Sequence, residues 1–385
     1  MAWGLAGEPL RATPANMKTT HAVKAGSNRS QDQGEQVLVV KAKQIKLGID
    51  EHADNVCVVR QIDDANPQPA QKFTHEKFLI WAKKQTALAE NVWSCYEAGA
   101  FGFVLHRQLV MLGVNNLVIC AQNWDERGKG VKTDQVDALA MVQRLDRYVQ
   151  GNHTALAVVR VPSKAQEQAR WISRLREQVR RHRQRLEAQG RCLLLTQGVR
   201  VRGRWWQEAR WKVLAGQLTE ALVAVLAVTQ KLAQAAHEQV EALTAQLEAA
   251  APSRRPRGLG GLTREVLHRE MGDWNRCRNR RQIASLTGLC PGVYSTNQKT
   301  RMGSITKHGN PRLRHALVEL AWRVVKWQPQ YPPVARWRRL LLDRKAPKAA
   351  KKKAIVAIAR RLAIDLWRFE TGRCKAEQLQ WVMVG

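Results

Sequence analysis

Acidic residues are scarce in this chain: 32 Asp and Glu stand against 64 Lys and Arg in 385 residues, for a net charge of +32. So one-sided a balance points to a polyanionic partner, and the usual source of affinity for such a surface is counterion release from nucleic acid. Long hydrophobic runs are also missing. No apolar stretch approaches the roughly 20 residues of a spanning helix, and the basic residues are spread along the chain, not held in one juxtamembrane cluster. No membrane partner is expected. Paired cysteines are absent too. Cys57, Cys95, Cys120, Cys192, Cys277, Cys290 and Cys374 are scattered, odd in number and never in Cys-x-x-Cys spacing, which supports neither a zinc site nor a disulfide framework. His308 and His315 are expected to contact phosphate or pack, since no His/Cys spacing suits zinc. A convincing signal peptide is lacking, so the expected compartment is a reducing cytoplasm, in association with the nucleoid.

Hydrophobic residues make up an ordinary 44%, and the length allows two or three domains. Residues 1–40 read as a disordered leader of Gly, Pro, Ser, Asn and Gln, with Met17 an alternative start. Residues 41–160 alternate strand and helix signals: apolar strands ending at Asp50, Glu97 and Cys120, a possible hairpin partner at Asn55–Arg60, and helices over Thr74–Ala89, Gly102–Leu112 and Thr133–Val149. This predicts an α/β domain with a partly parallel sheet. Residues 161–252 read as a helical or coiled-coil linker. Pro162-Ser163 opens it, Arg170 to Arg185 make its start strongly basic, and Gly198 to Gly203 break it. Leu218, Leu222, Val225, Leu232, Ala236, Val240, Leu243 and Leu247 then give heptad-like spacing, the mark of a coiled-coil seam or a long helical hairpin. Residues 253–345 are expected to form a mainly α domain whose Gly258-Leu259-Gly260-Gly261 start resembles a helix-hairpin-helix turn, and 346–385 a basic helical tail. Among 14 tryptophans, Trp205, Trp206 and Trp211 lie between arginines; packing is the favoured role for each over base stacking.

Four acids carry the strongest chemical signal. Asp50 closes the strand Ile45–Asp50, and Glu97 closes Asn91–Glu97. Asp134 and Asp137 lie three apart on a helix and so share a face. Carboxylates at two strand ends and one helix face form a set that holds a hard divalent cation such as Mg²⁺, and two such ions can clamp both oxygens of a phosphodiester displacement. The competing reading is a solvated acid at each position, with Asp134 and Asp137 favoured merely by the helix dipole. Order and spacing together match the RNase H-like nuclease plan.

A second group is Ser295 and Thr296, followed by Lys299, Arg301, Lys307, Asn310, Arg312 and Arg314. Hydroxyls beside cations suit attack on a phosphodiester, with guanidinium groups spreading the transition-state charge. On chemistry alone, a hydroxyl turn in a DNA-contacting loop is the simpler reading.

Taken together, these blocks resemble the DEDD transposases of bacterial insertion sequences. Gly48-Ile49-Asp50, Tyr96-Glu97-Ala98-Gly99 and Lys132-Thr133-Asp134-x-x-Asp137-Ala138 look like that family's acidic signature. Gly288-Leu289-x-Pro291 and Ile305-Thr306-Lys307-x-Gly309-Asn310-x-x-Leu313-Arg314 look like its C-terminal signature, with Ala321-Trp322-Arg323 and Gln328-Pro329 also in keeping. The resemblance spans about residues 45–335. It implies an α/β RNase H-like (RuvC-like) N-terminal domain, a long helical coiled-coil middle and a mainly α C-terminal transposase domain. It implies Mg²⁺ (or Mn²⁺) on Asp50, Glu97, Asp134 and Asp137, and a serine nucleophile that forms a phosphoserine link. It further implies DNA contacts from Lys132 and the basic C-terminal residues, a non-coding guide RNA that pairs with donor and target DNA, and a homo-oligomer, dimer or tetramer, with a site completed across protomers. One departure stands out. Aligned without gaps from Gly288 to Gly309, the family's serine falls on Thr296 and its glycine on Asn297. Ser295, one residue earlier, is the less hindered hydroxyl, because threonine's methyl restricts χ1.

Overall fold

The computed structural model describes residues 41–120, 133–296 and 299–385. The expected leader, Lys132 and Asn297 lie outside the described residues. The chain divides into two compact units, Met1–Val159 and Arg160–Gly385.

In the first unit, β1 (Ala42–Glu51) is central and is buried on both faces from Ile45 to Ile49. That explains its near-continuous apolar run. Its antiparallel neighbour is β2 (Val56–Ile62), which in turn pairs with β3 (Gln71–Phe73). After α1 (His75–Leu88), capped by the Thr74 side chain, comes β4 (Ala89–Glu97), parallel to β1. Then α2 (Val104–Met111) leads to β5 (Asn115–Ile119), parallel to β4, and α3 (Asp134–Val149) follows with Thr133 as its cap. The sheet order is β3-β2-β1-β4-β5. A mixed α/β unit of this kind is what the alternating signals predicted.

Side chains alternate across a strand, and this decides what faces α3. Buried Lys46 donates to Asp146 of α3, and Cys95 Sγ donates to the Met141 carbonyl. Lys46, Gly48 and Asp50, together with Trp93, Cys95 and Glu97, therefore point to the α3 side. On the other face, Tyr96 and Ser94 bond to the segment of α2 and to Asn116.

The second unit is mostly helical. α4 (Lys164–Thr196) opens with a reciprocal Ser163–Gln166 capping box. It is followed by α5 (Glu208–Ala215) and α6 (Glu220–Ala249). α6 runs antiparallel along α4, since Arg176 bonds Thr244 and Arg183 meets His237. Trp205 and Trp206 are buried between them, with both indole N–H groups donated to Glu187; their role here is packing. Gly190 is where Trp205 closes on α4, because a Cβ there would lie 2.0 Å from the indole.

The α6 seam differs from the expected one. Leu226, Gln230, Ala233, Val240 and Leu247 are buried, whereas Val225 and Leu232 are 58% and 53% exposed. Val240 and Leu247 keep their expected places, but Leu226 and Ala233 replace Val225 and Leu232 by packing with Leu194, Trp205 and Trp206. Polar Gln230 bonds the Trp206 carbonyl, and His237 and Thr244 meet Arg183 and Arg176 of α4.

β6 (Arg255–Pro256) precedes α7 (Gly261–Met271) and α8 (Arg280–Thr287). The hairpin of β7 (Pro291–Thr296) and β8 (Lys299–Ile305) then leads to α9 (Pro311–Trp327), α10 (Pro332–Leu342), α11 (Lys348–Glu370) and β9 (Met383–Val384), which pairs back with β6. One apolar core joins Leu267, Leu317, Leu320, Val334, Ile358 and Leu362. α11, expected as a basic tail, thus packs its apolar face into this core while Lys352 and Lys353 stay exposed. The Gly-rich turn before α7 is packed from within the unit: Trp327 lies 3.1 Å from a Cβ built at Gly258, and Arg323 donates to Thr263.

Candidate metal centre and hydroxyl hairpin

Parallel register places Ile49 beside Tyr96, so the next residues, Asp50 and Glu97, end neighbouring strands on the α3 face. Gly48 brings α3 onto them. A Cβ at Gly48 would lie 2.2 Å from the Ala138 carbonyl oxygen and 2.6 Å from the Val142 nitrogen. Only glycine permits this backbone approach, and the approach sets the first turn of α3, with Asp134 and Asp137, over the strand ends.

Two residues outside the acidic motif join the site. His52 Nε2 lies 3.3 Å from Asp50 Oδ2 and 3.4 Å from Asp134 Oδ1, and Lys72 Nζ donates to Asp134 Oδ2 at 2.9 Å. Ligand atoms of Asp50, His52 and Asp134 lie within 4.8 Å of one another. Glu97 and Asp137 stand outside this tight group but near enough for their charges to act on Asp50. Burial, and then the charges of Asp134, Asp137 and Glu97, raise the Asp50 carboxyl above its ordinary range against the opposing pull of His52. The hydrogen bond from Lys72 holds Asp134 below it.

The donor set fits a divalent cation. His52 Nε2 is buried without a hydrogen bond between two carboxylates, and Asp50 carries a charge its surroundings disfavour. A cation would satisfy both. Sequence reasoning missed His52 and Lys72; the one available signal was the Asp50-x-His52 spacing at the strand end.

The hydroxyl hairpin lies in the second unit. Ser295 is exposed, pairs with Thr300 across the ladder, and has its Oγ 3.4 Å from Thr300 Oγ1. Thr296 pairs with Lys299 next to the turn, and Arg301 pairs with Tyr294. The remaining motif residues build the loop that carries the hairpin. Gly288 ends α8 in the left-handed region, and its N–H and carbonyl bond Ser285 and Lys307. Lys307 itself has φ +59°. Arg314 donates to the carbonyls of Thr287 and Lys307. Asn310 caps α9 and donates its amide to Glu270. Glu270 is fully buried: desolvation works to raise its carboxyl, but Arg174, Asn310 and the Arg312 charge hold it below the usual range. Arg312 lines a 560 Å³ cavity with Arg176 and Arg180. Asn310 and Arg314 therefore have architectural partners inside the unit, beyond the phosphate contact expected of them.

Comparison with known proteins now decides the family. Residues 254–334 match the transposase IS116/IS110/IS902 family. The chain is 30% identical over 320 residues to y4qE of Sinorhizobium fredii, a transposase by name, covering 74% of this chain and 77% of that protein. The chain belongs to this family of insertion-sequence transposases. A second Sinorhizobium fredii protein, y4rJ, also named a transposase, is 29% identical over 71% of this chain and 75% of its own length. The transposase for insertion sequence element IS1533 of Leptospira borgpetersenii is 24% identical over 73% of this chain and 85% of its own length. Membership of a transposase family implies cleavage and rejoining of DNA in general, and the net charge of +32 is in keeping with a DNA partner. Among the described residues, no helix of this transposase is long and apolar enough to cross a membrane.

Proposed function

We propose that this transposase excises and inserts its own element with an RNase H-like metal site in the first unit and a hydroxyl nucleophile on the β7–β8 hairpin. The observation that carries the reading is the convergence of Asp50 and Asp134 on His52, with Glu97 and Asp137 close enough to raise Asp50, in a sheet ordered β3-β2-β1-β4-β5. Asp50, Asp134 and His52 would hold the ion, with Glu97 and Asp137 around it. Mg²⁺ or Mn²⁺ would supply Lewis-acid stabilisation of phosphate oxygen, and the carboxylate ligands suit either ion. Lys72 neutralises Asp134 and keeps that carboxylate ionised.

At the hairpin, a hydroxyl oxygen attacks phosphorus. A phosphoester bond to the protein forms, one P–O ester bond of the strand breaks, and the released end leaves as a hydroxyl that takes up the proton. Ser295, exposed and lightly held by Thr300, is favoured; Thr296 is the alternative. A guide RNA would supply sequence specificity and a homo-oligomer would be the working form, both on the strength of the family resemblance. A nuclease without a covalent step, and a binding-only relic, are the competing readings.

The test is circle-junction formation in cells carrying the intact element, comparing wild type with Asp50→Ala, Ser295→Ala and Thr296→Ala. Loss with Asp50→Ala and with one hydroxyl variant supports the proposal and names the nucleophile. Junctions that persist with Asp50→Ala sink the metal-site reading, and persistence with both hydroxyl variants sinks the covalent step.

A further inference from the structure

The hairpin's second strand, the start of α8 and one face of α11 enclose a groove of 1140 Å³. Six cations line it: Arg280, Arg281, Lys352, Lys353, Arg360 and Arg361, with no carboxylate in the lining. Its floor is apolar, from Leu289, Ile305, Val356 and Ile364. A smaller depression shares Arg280, Arg361 and Ile364 and extends the strip to Arg368 and Arg373. Two of these cations are fixed in place. Arg361 Nε donates to Asp365 Oδ2 at 2.8 Å, and Asp365 is buried and also receives the Tyr331 hydroxyl at 2.7 Å. Arg373 lies 4.2 Å above the Trp367 ring.

A solvated basic helix would spread its lysines outward; here, cations from two separate elements surround one concavity. Asp365 offsets part of this charge at Arg361 and Arg368; a polyanion would relieve the remaining repulsion, and concave walls focus the field. Lys352 to Arg368 on α11 spans roughly 24 Å at 1.5 Å per residue. That is room for about four successive phosphates of one strand, since strand phosphates stand farther apart than their rise of about 3.4 Å along the duplex axis. The apolar floor suits sugar or base faces, and Met302, Gly303 and Ser304 of β8 form part of the wall, so the track borders the strand paired with the Ser295 strand.

We propose that this groove is a phosphate-backbone track that holds one nucleic-acid strand beside the hydroxyl hairpin. The proposal rests on the chain being a transposase, and on neither the metal nor the nucleophile assignment. DNA and RNA share the required chemistry, so the test separates them. The variant Arg281→Gln/Lys352→Gln/Lys353→Gln/Arg360→Gln leaves the Asp365-bound Arg361 intact. It would be compared with an equally charge-reduced control, Lys43→Gln/Lys77→Gln/Lys83→Gln/Lys84→Gln, and with the charge-keeping Lys352→Arg/Lys353→Arg. Binding of the full-length protein to a labelled 30-base-pair DNA and to a labelled 30-nucleotide RNA is measured against salt, with melting curves to confirm folding.

The expected result for the groove variant is a slope of log K against log salt shallower by about 3–4 for duplex DNA, or about 3 for single-stranded RNA, and at least tenfold weaker binding at 150 mM salt. The control and the Arg variant should keep the wild-type slope. Whichever probe changes names the strand carried. Unchanged slopes for both probes, an equal change in the control, or competition by polyglutamate as strong as by nucleic acid would overturn the track, while the junction assay would still report independently on recombination.

Discussion

Replacing Gly48 by alanine tests the link between backbone approach and site chemistry. The added methyl would sit 2.2 Å from the Ala138 carbonyl oxygen, 2.6 Å from the Val142 nitrogen and 3.0 Å from Val142 Cβ. All belong to α3, and two are backbone atoms that no rotamer change can clear. Contact at about 3.5 Å then requires α3 to retreat by on the order of 1 Å. Such overpacking costs about 1–3 kcal/mol, which lowers Tm by roughly 2–10 °C for a protein or unit of this size. The same retreat carries Asp134 and Asp137 away from Asp50 and Glu97. Disturbing the support of metal ligands weakens metal binding by about 10–100-fold, and the upper figure suits a shift of this size. With metal at 100 times its wild-type Kd, the metal-induced stabilisation would fall from about 2.7 to about 0.4 kcal/mol. Scanning fluorimetry with and without Mn²⁺ reads both effects. Gly216→Ala is the control, since φ there is −67° and the nearest atom lies 3.8 Å from the new Cβ. If Gly48→Ala melts with wild type and keeps its full metal shift, α3 does not set the site and the reasoning fails.

Asp50→Asn should raise the melting temperature without metal at pH 7. A carboxyl whose folded pKa is raised loses stability as pH rises through that value, and the amide has no such loss. The gain should shrink toward pH 4 and the Mn²⁺ shift should vanish; a lower metal-free melting temperature at pH 7 would contradict the electrostatic account. Glu270→Ala, which strands Arg174 and Asn310, should cost about 3–5 kcal/mol by urea unfolding. Because the Glu270 carboxyl is held below its ordinary 4.5, its stabilisation is present above that pH and lost as pH falls below it, so wild type and Glu270→Gln should converge in acid. Gly190→Ala, meeting Trp205 at 2.0 Å, should lose on the order of 1–3 kcal/mol and change the near-ultraviolet tryptophan spectrum; an unchanged spectrum and Tm would count against close packing of Trp205 on α4.

Three helix starts were legible in the sequence, at Thr74, Thr133 and Ser163; the structure shows each of these residues as the N-cap just before its helix, a role set by neighbours within one turn. Strands ending at Asp50 and Glu97 were legible because parallel strands buried on both faces read as apolar runs. The α6 seam was not, since Val225 and Leu226 are equally apolar and only the apolar cluster of Leu194, Trp205 and Trp206 selects between them. α11 looked like a tail because its lysines are contiguous, while its apolar face gains meaning only against α9.

By itself, then, the sequence determined the alternation of strands and helices up to Val149, the two sets of motif residues and the charge that calls for a polyanion. All of these depend on residue type and on neighbours a few positions away. Tertiary structure alone decided that His52 and Lys72 join Asp134, that Asn310 and Arg314 turn inward to Glu270 and to loop carbonyls, and that cations from α8 and α11 line one groove. Those are contacts between segments distant in the chain, and distances of that kind are fixed only once the sheet is paired and the helices are packed.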